Sequence, residues 1–366
     1  MIRVLHVLGH VPIGGIGTYL INTLRYIDPQ KIKFDFVMFN SNYESNFANK
    51  VVSLGGNVIV FNSYLKAVNI IKMAKELNDY LTNHGKYDIV HLHAPNLGFM
   101  VFPLAIIHGI KFRILHSHTV KYSDTYIKSI RNFIIGLPSK VFATNYIACS
   151  IDAGKFLFGH KDFFIARNGI EINKYKYNPE MRIKLRNYYK IQDKIVVGHV
   201  GNFMPTKNHE FLIDIFEKLY DKNKDFVLFL IGEGPLESKI KVKVKESNFV
   251  NAVKFLGRCD NVNDLMQMLD VLVLPSKNEG FGFVAIEAQI SGLLCFISDK
   301  FPNEVKVTNY INCLSLDLSP EDWANEIYNN VNYLREDQSN KIAELGYNAQ
   351  SAAQLLEDYY INILKA

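Results

Sequence analysis

The chain has 366 residues, of which 48% are apolar and 21% are charged, and its formal net charge is +5. This balance excludes a disordered chain, a collagen-like repeat and a highly charged tail protein. At roughly 150 residues per domain the length predicts two domains, each large enough to bury its own core. The four cysteines form no CxxC pair, which argues against a zinc site or a disulfide framework and favours a reducing compartment.

The charge is unevenly distributed along the chain. Residues 1–180 carry 20 Lys and Arg against 11 Asp and Glu, or +9, whereas the remainder carries 21 against 25, or −4. A basic first half suits an anionic partner, which could be nucleic acid, a membrane surface or a phosphorylated substrate. No nucleic-acid-binding signature accompanies the charge, so nucleic acid is the weakest of the three. A lysine-rich solvated surface is the plain alternative.

The chain shows neither a secretion signal nor a membrane span. It begins Met1-Ile-Arg-Val-Leu-His-Val-Leu and reaches His10 and Pro12 without a signal-peptide cleavage pattern. The longest apolar stretch, near Phe99 to Ile110, is shorter than the ~20 residues that a membrane span needs. We therefore expect a soluble cytoplasmic protein.

Short apolar runs typical of strands alternate with amphipathic helical segments such as Leu65–Leu81. In the first half the runs are Ile2–Leu8, Phe34–Phe39, Asn57–Phe61, Asp88–His93, Arg113–Ser117 and Tyr146–Cys149. After a predicted linker at residues 169–179, the second series is Ile195–Val200, Phe226–Ile231, Val253–Leu256, Val271–Leu274 and Leu294–Ile297. Because parallel strands need crossover helices, the pattern predicts an α/β fold of two doubly wound, Rossmann-like parallel sheets facing a central cleft. Ligands should gather at the carboxyl ends of the strands.

A glycine-rich turn, Gly14-Gly15-Ile16-Gly17, follows the first predicted strand. Its backbone N–H groups can approach a ligand, and the helix start that follows favours an anion. The turn is also half of a dinucleotide fingerprint, but Leu20 stands where that fingerprint needs a third glycine, and Asn40 stands where it needs an acid. A plain tight turn is the alternative interpretation.

The sharpest feature is a pair of glutamates at residues 279 and 287. Glu279 falls at the carboxyl end of a predicted strand, just before a helix expected to begin near Phe281. Glu287 follows eight residues later, so it projects to roughly the same face. Gly280 and Gly282 leave the first N–H groups of the helix open to a phosphate, and a nearby carboxylate suits sugar hydroxyls. In the plain alternative Glu279 caps the helix and Glu287 is solvated.

This segment, together with five others in order, resembles the signature of retaining family-4 glycosyltransferases of the GT-B fold. The other segments are Gly14-Gly15-Ile16-Gly17, Ala166-Arg167-Asn168-Gly169-Ile170, Val200-Gly201-Asn202-Phe203 with Lys207-Asn208, Ile231-Gly232-Glu233-Gly234-Pro235-Leu236 and Phe255-Leu256-Gly257-Arg258. The resemblance covers almost the whole chain. Within the family, it points most closely to bacterial capsular and exopolysaccharide transferases.

The resemblance implies roles for individual residues. Glu279 would contact donor-sugar hydroxyls, Glu287 the ribose, and Lys207 the β-phosphate, where leaving-group charge grows. The expected catalytic residues are His118, Lys207 and Glu279. The expected donor-binding residues are Gly15, Gly17, Asn202, Lys207, Gly232, Arg258, Glu279, Gly280, Phe281, Gly282, Phe283 and Glu287.

One position departs from the family pattern. Asn202 stands where the family has an arginine, so a bidentate phosphate clamp is replaced by a neutral amide. Either Arg258 or Arg167 compensates, or activity is lowered.

The alternating histidines of the first half are the remaining candidates for chemistry. His118 follows a predicted strand where the family has a histidine near the reacting sugar. Alternating histidines also look like a metal site, but no carboxylate stands at ligand spacing. We expect structural roles for His91 and His116.

The resemblance predicts a metal-independent enzyme without cofactor that transfers a sugar, with retention, from a UDP-linked donor to a glycan or polyprenyl-diphosphate-linked acceptor in bacterial surface polysaccharide synthesis. Residues 1–170 with a crossover helix at 351–366 would form the acceptor-side domain, and residues 171–350 the donor domain. The basic first domain suits peripheral contact with the anionic inner face of the cell membrane. The alternatives are a nucleotide-sugar epimerase, a retaining phosphorylase, and an inactive subunit that supports a partner transferase.

Overall fold

The computed structural model describes residues 1–12, 15–39, 46–63, 69–120, 122 and 126–365. The chain divides into two compact units, one formed by Met1–Ile170 with Gly346–Ala366 and the other by Glu171–Leu345. None of the described helices combines the length and the apolarity that crossing a bilayer requires.

The first unit is built on a seven-stranded parallel sheet. Its strands are β1 (Ile2–Val7), β2 (Ile32–Phe39), β3 (Asn57–Phe61), β4 (Ile89–Leu92), β5 (Phe112–Ser117), β6 (Asn145–Ala148) and β7 (Phe164–Ile165). They lie in the order β3-β2-β1-β4-β5-β6-β7. The intervening helices are α1 (Gly15–Tyr26), α2 (Asn46–Ser53), α3 (Ile70–Asn83), α4 (Gly98–Ile107), α5 (Tyr126–Phe142) and α6 (Ile151–Phe158). Helices cover both faces, so the central strands are almost continuously apolar; every residue of β4 is buried.

The second unit repeats this architecture with six parallel strands. These are β8 (Ile195–Val200), β9 (Phe226–Ile231), β10 (Val253–Gly257), β11 (Val271–Leu274), β12 (Leu294–Ser298) and β13 (Ile311–Leu314), in the order β10-β9-β8-β11-β12-β13. Its helices are α7 (Ile172–Tyr175), α8 (Pro179–Tyr189), α9 (His209–Lys222), α10 (Glu237–Lys245), α11 (Val262–Met268), α12 (Phe283–Ile290), α13 (Pro320–Asn330) and α14 (Ser339–Ile342). A capping box starts α13, in which Ser319 and Asp322 satisfy each other's backbone N–H groups.

The eleven strands predicted from sequence are all present, four of them with the predicted bounds. The two strands missed, β7 and β13, are short edge strands without a strong apolar pattern. The predicted linker at residues 169–179 was wrong in part, because α7 forms within it. The segment predicted to be helical from Leu65 is helical from Ile70, and its first four residues lie outside the described part of the chain.

The last helix, α15 (Ala349–Lys365), packs against α1 in the first unit. Tyr360 is fully buried, and its hydroxyl lies 2.6 Å from Nδ1 of His91. Glu357 is buried as well, accepts a hydrogen bond from the Asp28 N–H and pairs with Lys31 at 2.8 Å. This helix therefore supplies both apolar and ionic contacts to the first unit.

Deleting residues 351–366 should destabilise the first unit severely. The deletion uncovers apolar surface on α1, leaves His91 without its hydroxyl partner, and removes a Tyr360 side chain whose loss alone should cost about 3–5 kcal/mol. We expect insoluble protein, measured as the soluble fraction after expression, whereas Leu355→Ala on the exposed face of α15 should express normally. A soluble truncated protein with native melting behaviour would contradict this.

Candidate active site

The glycine turn before α12 creates an open helix N-terminus in the second unit. The helix begins at Phe283, two residues later than predicted, because Gly282 adopts a left-handed φ of 87°. A Cβ at Gly282 would also lie only 2.7 Å from the Phe301 ring, so glycine is required there. No side chain caps this helix start. Its first N–H groups are therefore available to an anion.

Lys207 and Glu279 form an ion pair beside that turn. Lys207 Nζ lies 2.5 Å from Glu279 Oε2, and the two side chains are 21% and 17% exposed. The loops that carry them follow neighbouring strands β8 and β11, and the Lys277 N–H donates to the Thr206 carbonyl at 2.7 Å. Glu279 thus faces a cation and does not cap α12. A lysine and a carboxylate converge at the carboxyl edge of this sheet, as Rossmann-like topology favours.

Glu287 is buried, with 8% of its surface exposed, so the solvated alternative for this residue was wrong. It lies on the side of α12 that packs on α7, and the Tyr175 hydroxyl donates to it. Burial raises the pKa of Glu287 to about 7, against the opposing effects of Tyr175 and Lys174. Tyr175 was not predicted as a site residue, because it falls in the segment that the sequence had assigned to a linker.

Two buried histidines beneath this edge were also missed. His199 Nδ1 lies 2.8 Å from the Val273 carbonyl, and the His209 ring stacks on Phe203 with centroids 4.1 Å apart. Burial and the charge of Lys207 lower the pKa of His209 to about 4, and burial lowers that of His199 as well. Both rings are therefore neutral at pH 7 and add no charge beneath Lys207.

Gly232 brings the loop after β9 against the loop after β8. Its φ is 141°, and a Cβ there would collide with the Gly201 carbonyl oxygen. Asn202 is exposed beside this contact, and no hydrogen bond of its side chain joins it to another described residue. Arg258, after β10, pairs with Glu233 at 3.6 Å, and both are largely exposed. Arg258 is thus the cation of this edge that could compensate for Asn202.

Arg167, the other candidate for compensation, belongs to the first unit. Its guanidinium lies over the Tyr347 ring, 5.6 Å from the ring centroid. The structure gives it contacts in that unit, and compensation by this residue stays a prediction.

Restoring the family arginine tests whether position 202 faces a diphosphate. Asn202→Arg should tighten UDP binding by about 1.5–3 kcal/mol, the range for a charged hydrogen bond. Isothermal titration calorimetry with UDP measures this, and Asn202→Gln serves as the neutral control. If the arginine variant binds UDP no more tightly, another cation already occupies the position, and Arg258→Ala should then weaken UDP.

In the first unit, Gly15 opens α1, and Gly17 lies one turn further along the chain. A Cβ at Gly17 would lie 2.8 Å from the Pro12 carbonyl oxygen, which gives this glycine a packing reason as well. Gly14 lies outside the described residues. The diphosphate roles of Gly15 and Gly17 stay predictions.

Five histidines form a stacked array at the carboxyl edge of the first sheet. His93 lies 2.9 Å from His6 and 2.8 Å from His118, measured between ring nitrogens, and His91 lies 2.9 Å from His116. Burial lowers the pKa of all five, that of His118 to about 3, so the array is neutral at pH 7. His91 and His116 are fully buried, as a structural role requires.

Neutral imidazoles can also bind metal ions. Two groups of three, His6 with His91 and His93, and His93 with His116 and His118, have ligand nitrogens within 4.8 Å of one another. Neither group includes a carboxylate or a thiolate, and most of the nitrogens already pair with each other. Metal independence therefore stays a prediction.

Comparison with known proteins places this geometry in a family. The family described as "Glycosyl transferases group 1" matches residues 181–352. The chain is 31% identical over 377 residues to the glycosyltransferase EpsF of Bacillus subtilis, an alignment that covers 99% of this chain and 97% of EpsF. It is 24% identical over 321 residues to an Escherichia coli protein named UDP-Gal:alpha-D-GlcNAc-diphosphoundecaprenol alpha-1,3-galactosyltransferase, with 81% of each chain covered.

A solved structure shows the same fold. HepE of Anabaena, in complex with UDP and glucose, matches with a TM-score of 0.75 at 19% identity, and 100% of both chains is covered. The two parallel-sheet units are those of the GT-B fold. Given the fold and the similarity to EpsF over nearly the whole length, the chain belongs to the group 1 glycosyltransferases.

Proposed function

We propose that this enzyme transfers a sugar from a UDP-linked donor to a glycan or polyprenyl-diphosphate-linked acceptor in bacterial surface polysaccharide synthesis, with retention of configuration. The observation that carries the proposal is the Lys207–Glu279 pair at 2.5 Å, set beside the uncapped N-terminus of α12. This arrangement offers one mobile cation and a helix start to a diphosphate, and one carboxylate to hydroxyl groups.

In this proposal donor binding rearranges the ion pair. The β-phosphate takes the place of Glu279 at Lys207 Nζ, and the freed carboxylate accepts hydrogen bonds from the donor sugar. The N–H groups around Gly280 to Phe283 hold the diphosphate, and Glu287 holds the ribose. As the bond between the anomeric carbon and the β-phosphate oxygen breaks, Lys207 and the helix start stabilise the negative charge that develops on the phosphate.

Retention follows from attack on the face that the leaving group departs from. The acceptor oxygen forms the new bond to the anomeric carbon while the phosphate oxygen leaves on the same side, and the acceptor's proton passes to the departing diphosphate. Glu279 then acts on sugar hydroxyls and forms no covalent intermediate. Proton NMR of the initial product distinguishes retention from inversion by the anomeric coupling constant.

The relatives support the choice of donor and acceptor. The Escherichia coli relative is named for UDP-galactose and a diphosphoundecaprenol-linked acceptor, and the HepE structure holds UDP and glucose. A thermal-shift screen across UDP-, GDP-, ADP- and TDP-sugars tests the proposal, because a ligand at 100 times its Kd stabilises the folded state by about 2.7 kcal/mol. Stabilisation by UDP-sugars supports it, and stabilisation by none of the UDP compounds would contradict it.

Asn202 favours one rival, an inactive subunit that stabilises a partner transferase. Lys207 and Glu279 would then be structural, and the neutral amide at position 202 would mark a lost phosphate clamp. Release of UDP from a UDP-sugar by the pure protein, at a rate that Glu279→Ala lowers, excludes this rival. Binding of UDP without any turnover in the presence of lipid-linked acceptors favours it.

Activity should survive removal of divalent metal ions. In the proposed site Lys207 and the α12 N–H groups supply the positive charge, and the chain has no Asp-x-Asp pair to hold a divalent ion beside the diphosphate. Turnover measured after dialysis against EDTA should stay within about twofold of the untreated rate. Complete inhibition that manganese reverses would contradict the prediction.

A further inference from the structure

Helix α5 presents its large apolar side chains outward. Only Gly136 and Ser139 are buried along the 17 residues of this helix. Its exposed apolar side chains are Tyr126, Ile127, Ile130, Phe133, Ile134, Leu137, Val141 and Phe142. Tyr126 and Ile127 are each 81% exposed, and Val141 is 76% exposed. We call these eight residues the α5 face.

The α5 face is a continuous stripe. Its members recur every three or four residues over four helical turns, the spacing that a helix normally buries against a core. Single exposed apolar residues need no explanation, but a contiguous stripe of this length marks an interaction surface. In α5 the usual orientation of an amphipathic helix is reversed.

Packing of the small residues fixes this orientation. Ser139 lies directly against Gly98 at the start of α4, where a Cβ would collide with the serine side chain. The Ser139 hydroxyl also donates to the Pro95 carbonyl. Because the helix is held by its small side to α4, it cannot turn the α5 face inward without losing this close contact.

The charges on α5 are all positive. Lys128, Arg131 and Lys140 lie on the helix, and residues 126–142 contain no Asp or Glu. Among the described residues no ion pair engages these three cations, and Arg131 bonds only to the Asn132 amide oxygen. Helices that combine an apolar face with Lys and Arg and bear no acid are suited to the boundary between lipid headgroups and acyl chains. A protein partner would need acidic groups at three sites around an apolar groove, whereas an anionic bilayer meets both requirements at once.

We propose that the α5 face docks on an anionic lipid bilayer, with the helix lying in the headgroup plane and its cations on lipid phosphates. Its purpose, delivery of a lipid-linked acceptor to the first unit, rests on the proposed function; the binding itself does not. Docking is reversible and electrostatic in part, so it weakens as ionic strength rises.

Vesicle co-sedimentation tests the proposal with the full chain. The probes are vesicles of phosphatidylcholine alone and of phosphatidylcholine with about one third phosphatidylglycerol. The apolar variant is Ile130→Ser with Ile134→Ser, and the charge variant is Lys128→Gln with Arg131→Gln. Matched controls come from the exposed side of α3 in the same unit, as Ile71→Ser and Lys72→Gln.

We expect the wild type and both controls to bind the anionic vesicles, and each α5 variant to bind at least about tenfold more weakly. Binding to phosphatidylcholine alone should be much weaker for every protein, and about 0.5 M salt should release most of the bound wild type. UDP release from a UDP-sugar without vesicles should be equal in all five proteins, which shows that the α5 variants fold.

Failure of this proposal is distinguishable from failure of the proposed function. Wild type that stays in the supernatant with anionic vesicles overturns the docking, whatever its activity. Variants that bind as well as wild type overturn the α5 face as the site. A dimer in light scattering that Ile130→Ser with Ile134→Ser abolishes, without vesicle binding, would assign the face to a second copy of the chain and also overturn the proposal.

Discussion

Glu279→Ala should lower turnover by about 10²–10³-fold while UDP affinity changes by less than about threefold. In the proposed site this carboxylate binds the donor sugar and not the nucleotide, so its loss affects the reacting group alone. Its removal also frees Lys207 from the 2.5 Å ion pair, which favours binding of the diphosphate. UDP release and calorimetric titration with UDP measure the two effects separately.

The opposite member of the pair gives a different pattern. Lys207→Met should weaken both UDP binding and turnover, because the lysine pairs with the phosphate in the ground state and as charge develops. A surface pair in the same unit, Lys222 with Glu321 at 2.6 Å, is the matched control, and Glu321→Ala should change neither quantity. Equal loss of UDP affinity in Glu279→Ala and Glu287→Ala would show that the roles are wrongly assigned.

Glu287→Gln should stabilise the protein at high pH while weakening UDP. The folded state holds a proton on Glu287 up to a pKa of about 7, whereas the ordinary value is 4.5. The wild type therefore loses stability relative to the glutamine variant as pH rises from about 4.5 to 7. A shift of this size corresponds to about 3 kcal/mol at pH 8, since one pKa unit is 1.36 kcal/mol.

Melting temperatures of both proteins at pH 5 and pH 8 measure the effect. The glutamine variant should melt higher at pH 8, and most of that advantage should disappear at pH 5. Tyr175→Phe is the companion variant: it removes the hydroxyl that donates to the carboxylate, so it should destabilise the protein more at pH 8 than at pH 5. A pH-independent difference between wild type and Glu287→Gln would mean that Glu287 is ionised in the folded state.

Much of the fold could be predicted because each strand is a short apolar run between polar turns. That pattern requires only local sequence, and so does the placement of Glu279 after β11. The start of α12 was predicted two residues early because its position depends on the left-handed conformation of Gly282, which the Phe301 ring enforces from a distant loop. Sequence alone does not contain that contact.

The partners of the site residues were beyond local reasoning for the same cause. Lys207 and Glu279 meet only because β8 and β11 are neighbours in the sheet. Tyr175 reaches Glu287 from a four-residue helix in a segment whose composition indicates a linker. The histidine array was visible in part from the alternating pattern of β4 and β5, but His6 joins it because β1 pairs with β4 in a register that sets His6 beside His91.

A crystal structure of the enzyme with a UDP-sugar tests the central proposal most directly. We predict a β-phosphate oxygen within hydrogen-bond distance of Lys207 Nζ, Glu279 moved from the lysine to the hydroxyls of the donor sugar, and the ribose hydroxyls on Glu287. A nucleotide bound elsewhere, with the Lys207–Glu279 ion pair intact at its present distance, would contradict the proposal.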